Sequence, residues 1–470
     1  MGEGEGPKEA CGLFGVWAPG EEVSRLLYFA LFAQQHRGQE SAGMAVSDGG
    51  NILVFKDLGL VSQVFNEGTL ATLQGDLGIG HTRYSTTGST TWENAQPAFK
   101  TDGSTAIAVG HNGNLVNTKE LAEREGWRSK ATTDSDLVAS MLARHEGSLE
   151  DAAMDVLPQL QGGFSFVMMD ERTIFAARDP HGLRPLAIGR LPNGFCFASE
   201  TCALDIVGAT YLRDVEPGEL VMVDDRGLRS RRYAESPRKA LCLFEFVYLA
   251  RSDSKLEGRT VHEARRRMGE ALAAEAPVEA DMVISVPDTA GSAAAGFAAA
   301  SGIPYGEGLM KNRYVGRTFI EPSQSLRERG VKLKLNPIPG AVRGKRLVVV
   351  DDSIIRGTTT RAIVQTLREA GASKVHLRIT SPPVKWPCFY GIDMSTRQEL
   401  IASDLAVDDV RQFVGADSLA YLSLESLVAA TGQRKDSFCR ACWDGEYPIP
   451  IPEHTPTKLL LEKSFHVENS

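Results

Sequence analysis

With 470 residues, 42% hydrophobic and 24% charged, the chain exceeds one ordinary hydrophobic core and predicts a soluble globular enzyme or binding protein of two or three domains. A formal net charge of -9 leaves no global basic field for a nucleic-acid backbone, and the one long small-apolar stretch, near 290–300, is too short to cross a bilayer. Seven cysteines behind an acidic start with no apolar signal core predict the cytoplasm, where cysteine serves metal binding, catalysis or burial rather than disulfides.

From 11 to 223, short apolar runs broken by Gly, Asn and Asp read as antiparallel strands at 52–55, 78–80, 107–109, 164–169, 174–177 and 220–223. Helical patterns at 23–35 and 135–160 interrupt them, which is α+β grammar. The polar, basic stretch 224–240 has little to bury and reads as a boundary, dividing the chain into a leader 1–10 and domains 11–235 and 236–470. Beyond it, a strand at 282–286, a helix at 291–301, a strand at 346–350, a helix at 361–370 stopped by Gly371, and a strand at 375–380 imply a parallel sheet.

Cys11 opens the run Cys-Gly-Leu-Phe-Gly-Val-Trp after ten mostly polar residues. Clipping before it would let its own α-amine, with an ordinary pKa of about 7.7–8.0, act as general base to its thiol. The plain alternative is a buried structural cysteine. Three clusters follow, Gln35-His36-Arg37-Gly38-Gln39-Glu40, His81-Thr82-Arg83-Tyr84 and His111-Asn112-Gly113-Asn114, each read as a donor-rich turn. Acyl transfer from an amide needs an oxyanion hole, a carboxylate clamp and an ammonium acceptor. The Asn112 amide and the Gly113 N–H can supply the first and Arg83 the second. Asp136, in Thr133-Asp-Ser-Asp136, can supply the third, or be a plain cap or first-turn acid.

These ordered motifs resemble the class II glutamine amidotransferases over roughly 11–225. The resemblance implies an N-terminal-nucleophile hydrolase fold, an αββα sandwich of antiparallel sheets. It also implies that Cys11 is the nucleophile, that Arg83 and Asp136 bind glutamine, that Asn112 and Gly113 form the oxyanion hole, and that 1–10 is a propeptide. Ala10 stands where many relatives have an acidic residue. With an amine as base, His36, His81 and His111 are expected to be turn and packing residues.

In the second half, Leu347-Val-Val-Val-Asp351-Asp352-Ser-Ile-Ile-Arg356-Gly357-Thr358-Thr359-Thr360 is a hydrophobic strand ending in two acids, then a Gly-Thr loop entering a helix. In a parallel sheet that loop lies at the carboxyl edge, where ligands bind. Asp351 and Asp352 can accept from a vicinal diol or sit near Mg²⁺. Gly357, the threonine hydroxyls and the helix dipole form an anion cradle. No Gly-Lys-Ser/Thr follows, so it is not a Walker loop.

The pattern resembles the type I phosphoribosyltransferase fingerprint, with Arg356 and Gly357 through Thr360 as substrate contacts. Val286-Pro-Asp-Thr289 resembles the pyrophosphate-side loop and implies Thr289 beside the Mg²⁺ site. Lys311-Asn-Arg313-Tyr314-Val-Gly-Arg317 resembles the segment leading into a lid, with Lys311 and Arg317 as ligand contacts. Arg327, Arg329, Lys332 and Lys334 continue it and read equally as a solvated basic face.

Both halves in this order resemble the amidophosphoribosyltransferase family. The resemblance implies glutamine and phosphoribosyl pyrophosphate as substrates, displacement of pyrophosphate from C1 by ammonia, feedback inhibition by purine nucleotides, and a homotetramer. The rivals are another class II amidotransferase, which the Asp351-Asp352 loop argues against, and a non-catalytic nucleotide sensor, which has no need of Cys11, Arg83, Asn112 and Asp136.

Cys439-Arg-Ala-Cys442 alone could mean zinc, a redox dithiol or neither. Cys242 and Cys388 complete a possible set of four soft ligands, suited to iron-sulfur or zinc. The resemblance implies a [4Fe-4S] cluster on these four, as in one branch of the family, with a structural or oxygen-sensing role. Cys196 and Cys202 read as buried strand or turn residues.

Overall fold

The computed structural model describes residues 11–84, 88–102, 105–312, 335–394 and 396–452. The propeptide call, Arg313, Tyr314, Arg317, Arg327, Arg329, Lys332 and Lys334 lie outside them.

The first half is two antiparallel sheets face to face. In the seven-stranded sheet, Gly12–Trp17 lies between Gly194–Ala198 and Leu77–Arg83, and Ser41–Ser47 continues beyond Leu77–Arg83. In the six-stranded sheet, Thr105–Leu115 lies between Ala98–Asp102 and Gly162–Met169. Alternation along each strand divides its side chains between two layers. Leu13, Ile79, Ala108, Val167 and Met169 fill the space between the sheets. Phe14, Val16 and Met44 turn outward onto helix Val23–Ala33. Val109, Phe166 and Met168 turn outward onto helices Asp134–Arg144 and Leu149–Val156. The result is the expected αββα sandwich.

Several local readings need correction. The His81 and His111 clusters are strand, not turn: His81 to Arg83 end Leu77–Arg83, and His111 to Asn114 run inside Thr105–Leu115. Glycines at 78, 80, 110 and 113 broke the apolar pattern, yet glycine is what close sheet packing requires here. A Cβ on Gly15 would meet Val167 Cγ1 at 2.5 Å, and one on Gly110 would meet Leu13 Cδ2 at 3.0 Å. The helical pattern 135–160 is two helices, because Ser148 caps Leu149–Val156 by accepting from Asp151 N at 3.2 Å. The stretch 224–240 contains a strand, Gly227–Arg232, paired to Glu219–Asp224 at the sheet's edge, where one exposed face needs no apolar residues.

The second half centres on four parallel strands in the order Met282–Ser285, Arg346–Asp351, Lys374–Ile379, Ser418–Tyr421. Helices Val261–Glu275 and Gly291–Ser301 cover the face of Val283, Val348 and Val350. Thr358–Glu369 and Val407–Val414 cover that of Ile284, Leu347 and Val349. Among the described residues, no helix is long and apolar enough to cross a membrane.

The halves meet along a buried seam. Ala240 N donates to His181 O at 2.7 Å and Cys242 N to Leu183 O at 3.1 Å, while Val116, Leu183, Tyr390, Ala441 and Ile449 pack together.

Candidate active sites

Cys11 sits at the leading end of a central strand. Gly12 lies opposite Thr82, which brings the thiol to the Arg83-Tyr84 corner. Cys11 Sγ donates to Tyr84 O at 3.3 Å and accepts from Tyr84 N at 3.5 Å. Burial pushes the thiol up to about 11, while the Tyr84 backbone bond and the Arg83 charge pull the other way. A thiol so placed is protonated at neutral pH and needs a base to attack.

Arg83 ends Leu77–Arg83, is buried, and donates to Ser89 O at 3.2 Å, with Glu40 at 3.9 Å. Asp136 lies in the first turn of Asp134–Arg144 and is not its cap: Thr133 is, accepting from Asp136 N at 3.3 Å. The Asp136 carboxylate instead accepts from Lys100 Nζ at 2.9 Å, a partner the sequence reading missed.

Asn112 is the most telling residue. It is fully buried, and neither Oδ1 nor Nδ2 of its side chain has a hydrogen-bond partner among the described residues. A buried amide left unpaired costs about 1–3 kcal/mol, so such a group belongs where a ligand completes it. The strand that carries it is pinned next door: His81 Nε2 lies 3.0 Å from His111 O, an acceptor, so His81 donates there. Burial pushes His81 down to about 3, keeping it neutral. His111 Nδ1 reaches Ser135 Oγ at 3.2 Å and the Asp134 carboxylate at 3.5 Å. Gly113 has φ +147°, and a Cβ there would fall 1.9 Å from Gly163 O, so only glycine fits. His36 sits in a turn but also pairs with Glu200 at 2.8 Å.

At the other site, Asp351 ends its strand and Asp352 follows, at the carboxyl edge of the parallel sheet. Burial, then repulsion from Asp352, pushes Asp351 well above the usual carboxylate range. Burial pushes Asp352 up to about 6 against the opposing pull of Ser353 and Arg265. Gly357, at φ +79°, caps helix Thr358–Glu369, and a Cβ on it would stand 2.8 Å from Ile401 Cδ1. The first turn, with Thr358 exposed, Thr359 half-buried and Thr360 buried, carries N–H groups that lack intrahelical acceptors. Val286 N donates to Val350 O at 2.9 Å, so the loop with Thr289 leaves the sheet beside Asp351. Lys311 is exposed and paired to Asp288 in that loop. Arg356 is tied to Glu399 at 2.9 Å.

A model of the glutamine amidotransferase domain matches residues 81–205. Over 96% of this chain and 88% of the relative, the sequence is 57% identical to an amidophosphoribosyltransferase of Mycobacterium tuberculosis. It is 47% identical to that of Bacillus subtilis over 97% of both chains. The solved B. subtilis glutamine phosphoribosylpyrophosphate amidotransferase, complexed with ADP and GMP, superposes with a TM-score of 0.90 at 46% identity, covering 95% of this chain and 99% of that one. The chain belongs to the amidophosphoribosyltransferase family.

Within this family member the four cysteines, all from the second half, lie near one another at the seam. Cys242 lies opposite Cys439 in a parallel bridge. Lys385 N and Trp386 N donate to Cys442 O at 2.9 and 3.1 Å, tethering the segment that leads to Cys388. Burial pushes Cys242 up to about 12 and Cys442 well above the usual thiol range, and Cys442 feels the charges of Cys242, Cys439 and Cys388. Among the described residues, no three His, Cys, Asp or Glu side chains converge on one metal-ion position. Cys439 is buried and Cys242, Cys388 and Cys442 are half-buried, a set of soft donors of the kind iron-sulfur clusters use. Cys196 and Cys202 are buried, in a strand and a helix respectively.

The sequence reading passed over Glu200, Glu245 and Arg184, all buried. Glu245 had a signal: it is the lone acid in the apolar run Leu243-Phe-Glu-Phe-Val-Tyr-Leu-Ala. A charge there must have a partner.

Proposed function

We propose that this chain makes 5-phosphoribosylamine from phosphoribosyl pyrophosphate and glutamine, releasing glutamate and pyrophosphate, as its family does at the first step of purine synthesis. The unpaired Asn112 amide on the pinned strand carries this reading, because an oxyanion is the partner it lacks.

Once residues 1–10 are removed, the Cys11 amine takes the thiol proton, and the thiolate attacks the glutamine amide carbon. Asn112 Nδ2 and the Gly113 N–H hold the developing oxyanion, Arg83 the substrate carboxylate and Asp136 its ammonium. The amine then gives its proton to the leaving ammonia, and water releases glutamate from the thioester. In the second half, Asp351 and Asp352 hold the ribose diol, the Gly357 to Thr360 turn holds the 5-phosphate, and Thr289, Lys311 and Arg317 serve the pyrophosphate side.

Two acids pushed toward their neutral forms fit a divalent cation, and Asp351, Asp352 and Thr289 would border Mg²⁺, which would offset the leaving-group charge. Cys242, Cys388, Cys439 and Cys442 would hold a [4Fe-4S] cluster whose contribution is structural or oxygen-sensing. The ADP and GMP on the B. subtilis relative support purine nucleotides as feedback inhibitors here. A cytoplasmic homotetramer completes the reading.

The test is pyrophosphate release by the mature protein with glutamine or with an ammonium salt. Cys11→Ala is expected to lose glutamine-dependent turnover by at least about 10⁴-fold and to keep ammonium-dependent turnover. Loss with both donors in a folded variant would refute separate sites. Iron and sulfide analysis after anaerobic purification checks the cluster, and stoichiometric zinc alone would remove it.

A further inference from the structure

Four buried charges lie where the halves meet: Arg37, Glu200 and Arg184 from the first, Glu245 from the second. We propose that Glu245 is a positioning residue for glutamine hydrolysis, holding the Cys11 backbone through Arg37 and the Gly113 backbone through Arg184. This rests on the reading above and adds a residue to it.

The geometry is direct on the nucleophile side. Arg37 Nη1 and Nη2 donate to the two Glu245 oxygens at 3.0 and 2.9 Å, and Arg37 Nε donates to the Cys11 carbonyl at 3.1 Å. The guanidinium fork thus spans from the second half to the residue that bears both nucleophile and base. On the oxyanion side, Arg184 Nη1 donates to the same Glu245 Oε1 at 3.4 Å, while its Nε and Nη2 hold Tyr390 O at 2.9 and 2.8 Å. The next residue, Gly391, is packed so closely that a Cβ on it would stand 2.9 Å from Gly113 Cα. One carboxylate therefore braces both backbones whose spacing sets the attack geometry.

Stability alone does not account for such a cluster. Replacing buried ion pairs by hydrophobic side chains of similar volume is often neutral or stabilising, and the role assigned to these is placement. Glu245 also opens a π-helical turn, Glu245–Leu249, a rare backbone form that recurs at functional sites. Its neighbour Phe246 O accepts from Arg265 Nε at 2.9 Å, which fixes the turn from the opposite side.

The test compares Glu245→Gln, Glu245→Asp and the double variant Arg37→Met/Glu245→Met with wild type, each with glutamine and with ammonium. The double variant removes one charge of each sign, so the net buried charge is unchanged. Glu245→Gln and the double variant should lose about 100-fold in kcat with glutamine at little changed KM for glutamine, because Arg83 and Asp136 are not held by Glu245. Glu245→Asp keeps the charge but shortens the reach, and should lose about tenfold. Ammonium-dependent turnover should stay within about twofold of wild type in all three. Wild-type kcat with glutamine in the double variant overturns the proposal, as does equal loss with both donors in a variant that melts as wild type does. A wild-type protein inactive with both donors would instead sink the reaction proposed above.

Discussion

In the seam beside Cys11, buried Arg37 and Arg184 face Glu200 and Glu245, whereas at the other site two adjacent carboxyls, Asp351 and Asp352, are pushed toward protonation by burial. The first site's unfinished group is neutral, the Asn112 amide. The second site's buried groups are ionisable acids held toward their neutral forms. A site built for an uncharged amide can be complete in charge and lack only a hydrogen-bond partner; a site built for a polyphosphate carries acids that only a cation or a diol can satisfy. On the proposed reading, the difference follows the substrate each site would take.

Charge removal is the harshest way to break that comparison. On the proposed reading, in which Asp351 serves the acceptor that both donors share, Asp351→Asn should lower pyrophosphate release on the order of 10³-fold with glutamine and ammonium alike. A loss confined to glutamine would move Asp351 out of the acceptor site. Removing the neutral group should be selective instead. Asn112→Ala is expected to cost about 10²–10³-fold in kcat with glutamine and to leave ammonium-dependent release intact, read from the two kcat values side by side.

The acceptor loop was the most legible part of the sequence, because a hydrophobic strand, two acids and a Gly-Thr turn are contiguous and describe their own geometry. The strand that carries Asn112 was misread as a turn. Its glycines look like turn residues until the facing sheet is known, and only then does Gly110 become the gap that Leu13 fills. Lys100, Arg184 and Glu245 were out of reach for a different reason: each acts on a partner 36 to 208 residues away, and no local pattern carries that distance. Glu245 alone left a trace, as an acid inside an apolar run.

His81 offers the smallest of these effects and the sharpest check on how the oxyanion strand is held. Folded, it titrates at about 3; unfolded, a histidine titrates at about 6.5. Between those values the unfolded chain binds the proton that the folded one excludes, so this group's contribution is fully present above about 6.5 and is lost as pH falls toward about 3. At pH 5 the loss is about 2 kcal/mol. His81→Gln keeps a donor for the His111 carbonyl and removes the titration. Its thermal midpoint should therefore fall less than that of wild type between pH 7 and pH 5, with glutamine turnover at pH 7 reduced only modestly. Parallel midpoints across that range would mean that His81 is protonated in the folded protein, and a protonated ring beside Arg83 would leave the Asn112 strand held by something other than a neutral donor.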